Sequence, residues 1–163
     1  MGGCSRENSP AIECIAEPCC GCGACMAVCP VSCLAMEPDS CGFVHPTYES
    51  GCIGCGKCAK VCPALTAGEE ERAVGVSWAK AKDDGMRDRS SSGAVFGLLA
   101  KRVLSEAGTV YGAAFSEDCR AVRHVRVDSE DKLDVVMRSK YVQSSVGLDV
   151  YEGVERDLKG GMR

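Results

Sequence analysis

The sequence has few aromatic residues, few histidines and no long apolar run. Aromatic residues make up 5% of the 163 residues, and only two histidines are present. The longest uncharged run of the second half, Ser90–Ala100, is too short to cross a membrane as a helix. The N-terminus offers no apolar segment of the kind that a secretory signal requires. These absences argue against membrane-spanning and secreted proteins and favour a cytoplasmic location.

The chain also lacks a stripe of basic residues. Residues 1–66 contain 3 Lys and Arg against 6 Asp and Glu, and residues 67–163 contain 16 against 17. The formal net charge at pH 7 is −4. Because binding to a nucleic acid depends on cations that neutralise phosphates, this distribution argues against a nucleic-acid partner.

Cysteine, in contrast, is abundant and unevenly distributed. The chain has 14 cysteines, and Cys119 is the only one beyond residue 62. The cysteine-rich part contains only Phe43 and Tyr48 as aromatic residues, so it cannot bury much apolar surface. It must therefore be stabilised by disulfides, zinc or iron–sulfur clusters.

The cysteine spacing discriminates among these three. Two motifs of the form C-x2-C-x2-C-x3-C-P, Cys19–Pro30 and Cys52–Pro63, repeat with an offset of 33 residues, which indicates an internal duplication. Their glycines share this offset: Gly21 with Gly54, and Gly23 with Gly56. Zinc sites usually use two C-x2-C pairs or include histidine, and a disulfide framework suits a secreted protein. The spacing therefore favours iron–sulfur clusters.

The two motifs resemble the signature of bacterial two-cluster ferredoxins. This resemblance implies two 4Fe-4S clusters, each held by three cysteines of one motif and the fourth cysteine of the other. One cluster would be held by Cys19, Cys22, Cys25 and Cys62. The second would be held by Cys52, Cys55, Cys58 and Cys29. The segment between the motifs, with a glycine turn at Gly42, predicts the hairpin that joins the two halves.

Six cysteines stay outside this assignment. Cys20 and Cys33 adjoin the first motif, and we expect them to pack near it because a free cysteine behaves as a small hydrophobic residue. We assign no role to the six, which are Cys4, Cys14, Cys20, Cys33, Cys41 and Cys119.

The second half alternates strand-like and helical segments. The predicted strands are 73–79, 109–115 and 122–127, and the predicted helices are 95–107, 128–137 and 148–158. In the first of these helices one broad apolar face is predicted, comprising Val95, Phe96, Leu98, Leu99, Val103 and Leu104.

The order of these elements predicts an α+β protein with two domains. We expect a flexible leader at 1–11, a two-cluster ferredoxin-type domain at 12–66, a linker at 67–72 and an α/β domain at 73–163. Because a unit ending in a helix and Gly160-Gly161 normally continues into another strand, we expect the α/β domain to be incomplete.

Four segments of the second half resemble a single family: Trp78-Ala79, 89–94, 108–114 and 139–144. They are similar to the N-terminal region of the beta subunit family of coenzyme F-420 hydrogenases and dehydrogenases. The resemblance implies an iron–sulfur flavoprotein that carries FAD. Relatives continue into a Gly-x-Pro-Cys-Gln segment and a C-terminal domain that this sequence lacks, so we expect FAD binding to be weak or absent and catalysis by this chain alone to be incomplete.

Two polar segments are the candidate flavin contacts. Ser91, Ser92 and Gly93 either cap the following helix or bind the pyrophosphate of FAD with their backbone N–H groups. The second segment either connects two helices or lies near the flavin ring, where the cation of Lys140 would stabilise the reduced form. Its candidate residues are Ser139, Lys140, Tyr141, Gln143 and Ser144.

The expected function is an electron-transfer module of a flavin-linked oxidoreductase. Single electrons would pass through the two clusters to or from a flavin, with a redox partner protein or a further subunit as the other participant. The alternatives are a free-standing ferredoxin-like electron carrier without flavin and a non-catalytic fragment of a longer gene.

Overall fold

A computed structural model of the chain describes residues 19–66 and 73–162. The chain divides into two compact units, with the boundary after residue 70. The predicted leader at 1–11 and the predicted linker at 67–72 lie outside the described residues, as do residues 12–18. Within the described ranges, no helix has the length and apolar character needed to cross a membrane.

The first unit is a hairpin flanked by two short helices. Its elements are α1 (Ala24–Ala27), β1 (Leu34–Pro38), β2 (Val44–Tyr48) and α2 (Lys57–Lys60). The two strands are antiparallel, with Leu34 opposite Tyr48. The turn is closed by the Asp39 carboxylate, which accepts the N–H groups of Cys41 and Phe43 at 2.8 and 2.9 Å. The hairpin predicted between the two motifs is therefore confirmed.

The internal duplication extends from the sequence to the backbone. Helices α1 and α2 occupy equivalent positions in the two motifs, and each follows a glycine with a left-handed backbone: φ is 78° at Gly23 and 69° at Gly56. The last cysteine of each motif also ends the same kind of turn. The N–H of Cys29 donates to the carbonyl oxygen of Met26, and the N–H of Cys62 donates to the carbonyl oxygen of Ala59. Because side chains disfavour positive φ, glycine at these positions lets both loops adopt one conformation.

The apolar core of the first unit is small and made mostly of cysteine. Its buried residues are Cys25, Cys33, Leu34 and Cys58. Leu34 is the only one of these four that is not a cysteine. The burial of so little carbon surface cannot offset the conformational entropy of ordering this segment.

The second unit combines helices with a separate hairpin. Its elements are α3 (Asp84–Asp88), α4 (Val95–Ser105), β3 (Val110–Phe115), β4 (Val122–Val127), a 3₁₀ helix (Glu130–Val135) and α5 (Leu148–Lys159). Strands β3 and β4 are antiparallel, with Val110 opposite Val127. The predicted strands at 109–115 and 122–127 and the predicted helix at 148–158 are confirmed, whereas the helix predicted at 128–137 is a shorter 3₁₀ helix. Each sheet in the described residues has two strands.

One predicted strand is wrong, and one short helix is not predicted. Residues 73–79 form no strand; Val74 and Trp78 are 108% and 85% exposed, and the described part of the chain supplies no strand to pair with them. Strand-like composition is insufficient here, because a β-strand also needs a neighbour for its backbone groups. Helix α3 begins after Asp83, whose carboxylate accepts the N–H of Met86 at 3.2 Å as an N-cap.

Helix α4 packs through small residues. Its buried positions are Gly97, Ala100 and Leu104, whereas Phe96 and Leu99 are 45% and 63% exposed. Of the apolar face predicted from the large side chains, Leu104 is buried and Val103 is half-buried, and the other four residues are exposed. Small residues let α4 lie close to Met86 and Met137, since a Cβ on Gly97 would lie 2.7 Å from the Met86 Sδ.

Helix α5 is tied to the β3–β4 hairpin by a polar network. The buried Asp157 carboxylate accepts the hydroxyl of Tyr111 at 2.7 Å and the Nε–H of Arg126 at 2.8 Å. The hydrogen bond from Arg126 is the main reason that the pKa of Asp157 is lowered. The network fixes α5 across the hairpin through one residue of each strand.

Replacing Gly93 by alanine should destabilise the second unit. A Cβ at this position would lie 2.3 Å from the carbonyl oxygen of Ala79 and 3.1 Å from the Cα of Lys80, and neither backbone atom can rotate away. We expect Gly93→Ala to lower the free energy of unfolding by about 2 kcal/mol or more, measured by denaturant titration. The control is Gly75→Ala, because a Cβ at Gly75 meets no atom within 4 Å. Equal stability of the two variants would contradict the prediction.

Candidate metal centres

The first unit contains two cavities lined by cysteine. The first cavity is bounded by the first three predicted ligands of the first motif, by Cys20, which lies between two of them in sequence, and by Cys62 of the second motif. Its cysteines are Cys19, Cys20, Cys22, Cys25 and Cys62, and its other walls include Ala24, Met36, Pro46 and Pro63. None of the lining residues within 19–66 carries a charge.

The second cavity has the reciprocal composition. It is bounded by Cys52, Cys55 and Cys58 of the second motif and by Cys29 of the first. Cys33, Leu34, Ile53 and Lys57 complete the lining, together with Val31, Gly54 and Gly56. The structure thus brings each predicted set of four cysteines around one cavity.

The cysteines surround space instead of converging on a point. Among residues 19–66 and 73–162, no three His, Cys, Asp or Glu side chains stand close enough to hold a single metal ion. Four thiolates on one zinc ion all lie about 2.3 Å from it, whereas the thiolates of a four-iron cluster bind four different irons and stay further apart. Four thiols around one cavity are the donor set that a four-iron cluster requires.

Backbone N–H groups are aimed at the sulfur atoms in both motifs. The N–H of Gly21 donates to the Cys19 Sγ and that of Gly54 donates to the Cys52 Sγ, each at 3.4 Å. The two bonds are separated by the repeat offset. Such donors offset the negative charge that thiolates and sulfides bring to an iron–sulfur cluster.

Burial makes several of these thiols hard to ionise without metal. Burial raises the pKa of Cys25 to about 11 and also raises the pKa of Cys22. Cys29 differs: burial acts to raise its pKa, but the N–H groups of Cys33 and Val31 outweigh that effect and the net shift is downward. Because iron binds the thiolate, positive charge from iron is what makes ionisation of the buried thiols favourable.

Cys33 is a fifth cysteine at the second cavity. It is 3% exposed, its Sγ lies 3.5 Å from the Cys29 Sγ, and its N–H donates to the same sulfur at 3.4 Å. Burial raises the pKa of Cys33 to about 12. Although Cys33 adjoins the first motif in sequence, it packs at the second cavity because Cys29 lies there too. Beyond the presence of an extra cysteine, no signal in the sequence indicated this position at the second cavity.

The second unit has a cavity of about 340 Å³ at the start of α4, here called the serine cavity. Ser91, Ser92 and Ser139 line it together with Ser90 and Arg138. The N–H of Ser139 donates to the Ser91 Oγ at 2.9 Å, which joins the two segments predicted as flavin contacts. Gly93 is not part of the lining; it lies against the backbone of Ala79.

The other candidate flavin residues lie outside the serine cavity. The Lys140 ammonium donates to the carbonyl groups of Val135, Met137 and Arg138, so it caps the 3₁₀ helix. Burial lowers the pKa of Lys140. The remaining three residues line no part of the cavity: Tyr141 is 92% exposed, Gln143 is half-buried, and the Ser144 Oγ lies 3.3 Å from the His124 Nδ1 beside β4.

Comparison with known protein families gives two matches, both in the cysteine-rich region. A family model described as a 4Fe-4S binding domain matches residues 46–65, and a second model with the same description matches residues 16–32. No curated protein matches the chain. The N-terminal region therefore contains two 4Fe-4S binding domains, which indicate iron–sulfur electron transfer. Neither match supports the resemblance of the second unit to the coenzyme F-420 hydrogenase family, nor a bound flavin.

Removing iron should unfold the first unit. Its apolar core is too small to stabilise residues 19–66 alone, so cluster ligation must supply the missing free energy. After anaerobic chelation of iron, we expect the amide NMR signals of residues 19–66 to lose their dispersion. The signals of residues 73–162 should keep theirs and serve as the internal control. Native-like dispersion for the β1–β2 hairpin in the iron-free chain would contradict the prediction.

Proposed function

We propose that the chain is an iron–sulfur electron-transfer module with exchanged ligation of two 4Fe-4S clusters. Cys19, Cys22, Cys25 and Cys62 hold one cluster, and Cys52, Cys55, Cys58 and Cys29 hold the other. The observation that carries this proposal is the pair of cavities, each lined by three predicted ligands of one motif and one of the other, with Cys20 or Cys33 as a fifth cysteine. An iron–sulfur cluster accepts and releases one electron at a time.

The residues of the chain would then have four tasks. The eight cysteines bind iron as thiolates, and the N–H groups of Gly21 and Gly54 donate to two of those sulfurs. The apolar walls of the first cavity, among them Met36 and Pro46, keep water from the buried side of its cluster. The exposed Cys55 and Ile53 at the second cavity offer a short route to another protein.

The proposal includes a cytoplasmic setting and a protein partner. The proposed ligation requires cysteines that are not oxidised to disulfides, a state that a reducing compartment maintains. Electrons must enter and leave through a second molecule, so we propose a redox partner protein or a further subunit. A free-standing electron carrier without flavin would need only the two clusters and such a partner.

Exchanged ligation can be tested with two cysteines of the same short segment. Cys58 and Cys62 are four residues apart, yet they line different cavities. We expect Cys62→Ala to remove the cluster of the first cavity and Cys58→Ala to remove the cluster of the second. Iron and sulfide analysis should show roughly half of the wild-type content in each variant, since each keeps one of two four-iron clusters. The NMR shifts of the cysteine β-protons should show which cluster is left; loss of the same cluster in both variants would mean that each motif ligates its own cluster.

A second candidate function, electron exchange with a flavin, is favoured by one observation. Three residues around the serine cavity that are not glycine have a positive φ: 55° at Ser92, 61° at Ala94 and 66° at Arg138. Strained backbone is retained where surrounding structure enforces it, and such sites are frequently ligand sites. The start of α4 and the guanidinium of Arg138 would both attract the pyrophosphate of FAD. Under this proposal the chain belongs to an oxidoreductase similar to the coenzyme F-420 hydrogenase beta subunits.

The isolated chain should nevertheless bind FAD weakly or not at all. The serine cavity is open and omits Lys140, Tyr141, Gln143 and Ser144, so it contacts little of the isoalloxazine. Each tenfold loss of affinity corresponds to about 1.4 kcal/mol of lost contacts. Titration of FAD followed by flavin fluorescence should show no stoichiometric binding. Tight binding that Ser139→Ala weakens and Ser144→Ala does not would overturn this expectation and assign the flavin to the serine cavity.

A further inference from the structure

The two cavities have the same backbone conformation around them but differ at several positions that are related by the repeat. Each residue of the first motif has a counterpart 33 positions later, and the ligating cysteines, the glycines and the short helices all correspond. Among the pairs that differ, three change the charge or the hydrogen bonding near the cysteines: Ala24 and Lys57, Cys33 and Thr66, and Cys20 and Ile53. Such pairs are informative because the backbone around them is the same.

The first difference is a charge. Lys57 lines the second cavity, whereas its counterpart Ala24 lines the first. A cluster gains one negative charge when it is reduced. A cation beside the second cavity therefore stabilises the reduced state of the cluster there, and the uncharged lining of the first cavity provides no equivalent stabilisation.

The second difference is a buried hydrogen-bond donor. The Cys33 thiol lies 3.5 Å from the Cys29 Sγ, and it also interacts with Cys52, a second cysteine of the same cavity. Its counterpart Thr66 directs both its hydroxyl and its N–H to the carbonyl oxygen of Cys62, at 2.7 and 2.9 Å, and not to the Cys62 sulfur. When Cys29 binds iron as a thiolate it has no proton, so the hydrogen between these two sulfurs belongs to Cys33. A donor to a ligating sulfur withdraws electron density and favours reduction.

Solvent acts in the same direction. Cys55 of the second cavity is exposed, whereas its counterpart Cys22 is half-buried. Water stabilises the more negative reduced state. The Cys20 thiol forms a hydrogen bond with Cys22 at the first cavity and so favours reduction of the first cluster instead. Its effect is small because Cys20 is exposed and water competes for the hydrogen bond.

We propose that Lys57 and Cys33 make the two clusters inequivalent, so that an electron entering the unit resides mainly on the cluster of the second cavity. Both are positioning residues, since neither binds iron. One electron moves from the first cluster to the second: the first is oxidised as the second is reduced, and no bond forms or breaks. The inference rests on the proposed exchange of ligands.

The test is a potentiometric titration of the whole chain with its clusters, followed by electron paramagnetic resonance. We expect two midpoint potentials whose difference favours the second cluster about tenfold, which for one electron is about 59 mV. Cysteine β-proton shifts, assigned with Cys22→Ser and Cys55→Ser, identify which cluster is reduced first.

Four replacements distinguish the two contributions. Cys33→Ala and Lys57→Ala should each reduce the preference for the second cluster, by up to about fivefold. Thr66→Cys and Ala24→Lys should raise the potential of the first cluster instead. Salt separates the causes, because the effect of the exposed Lys57 should weaken at high ionic strength while that of the buried Cys33 should not. Lys60→Ala is the matched control, since Lys60 lies in the same helix but does not line the cavity.

Iron and sulfide content separates failure of the inference from failure of the proposed function. Full content for two clusters with equal midpoints, or with the first cluster reduced first, would overturn the inference and leave the proposed function standing. Loss of the preference in Lys60→Ala but not in Lys57→Ala would also overturn it. A chain that holds no iron and sulfide would contradict both. Because Lys57 is exposed, its alanine variant should fold even if Cys33→Ala does not.

Discussion

The exchange of Cys29 and Cys62 between the two cavities is the constraint on which the first unit depends. Each lies at the end of its own motif, yet each lines the cavity of the other. The hairpin of β1 and β2 makes this exchange feasible, because it returns the chain so that the second motif lies beside the first. The apolar core is small, so the stabilisation of this unit must come from ligation at the two cavities. Each cavity is lined by cysteines of both motifs, so ligation there would join the two motifs.

The sequence was sufficient for this part of the fold because its constraints are local. Cysteine spacing determines the loop, glycines permit its positive φ angles, and the 33-residue offset applies the same solution twice. The hairpin and its turn could be predicted for the same reason. The position of Cys33 at the second cavity was not predicted. Cys33 lies there because it contacts Cys29, which lines a cavity formed mostly by the other motif.

The second unit was predicted less well because its contacts are long-range. The strands of the β3–β4 hairpin have alternating composition and were found, whereas residues 73–79 have strand-like composition but no strand partner. In α4 most of the large apolar residues predicted as the buried face are exposed, and the helix buries Gly97 against two methionines. Close packing of small residues depends on what lies opposite, and periodicity alone does not report it. Long-range contacts also separate the candidate flavin residues: Ser139 contacts Ser91, before α4, whereas Ser144 contacts His124 of β4.

Duplication explains how one chain can hold two similar centres and still give an electron a preferred position. The repeated backbone places an N–H donor at the equivalent sulfur in each motif, so the proposed ligation is the same in both cavities. Any preference must then come from side chains that the repeat does not share. Lys57 and Cys33 are such side chains, and both stand at the cavity whose Cys55 is exposed. An electron held at the exposed cavity is the one that a partner can reach, so under the proposed ligation the asymmetry gives transfer a direction without any change in the fold.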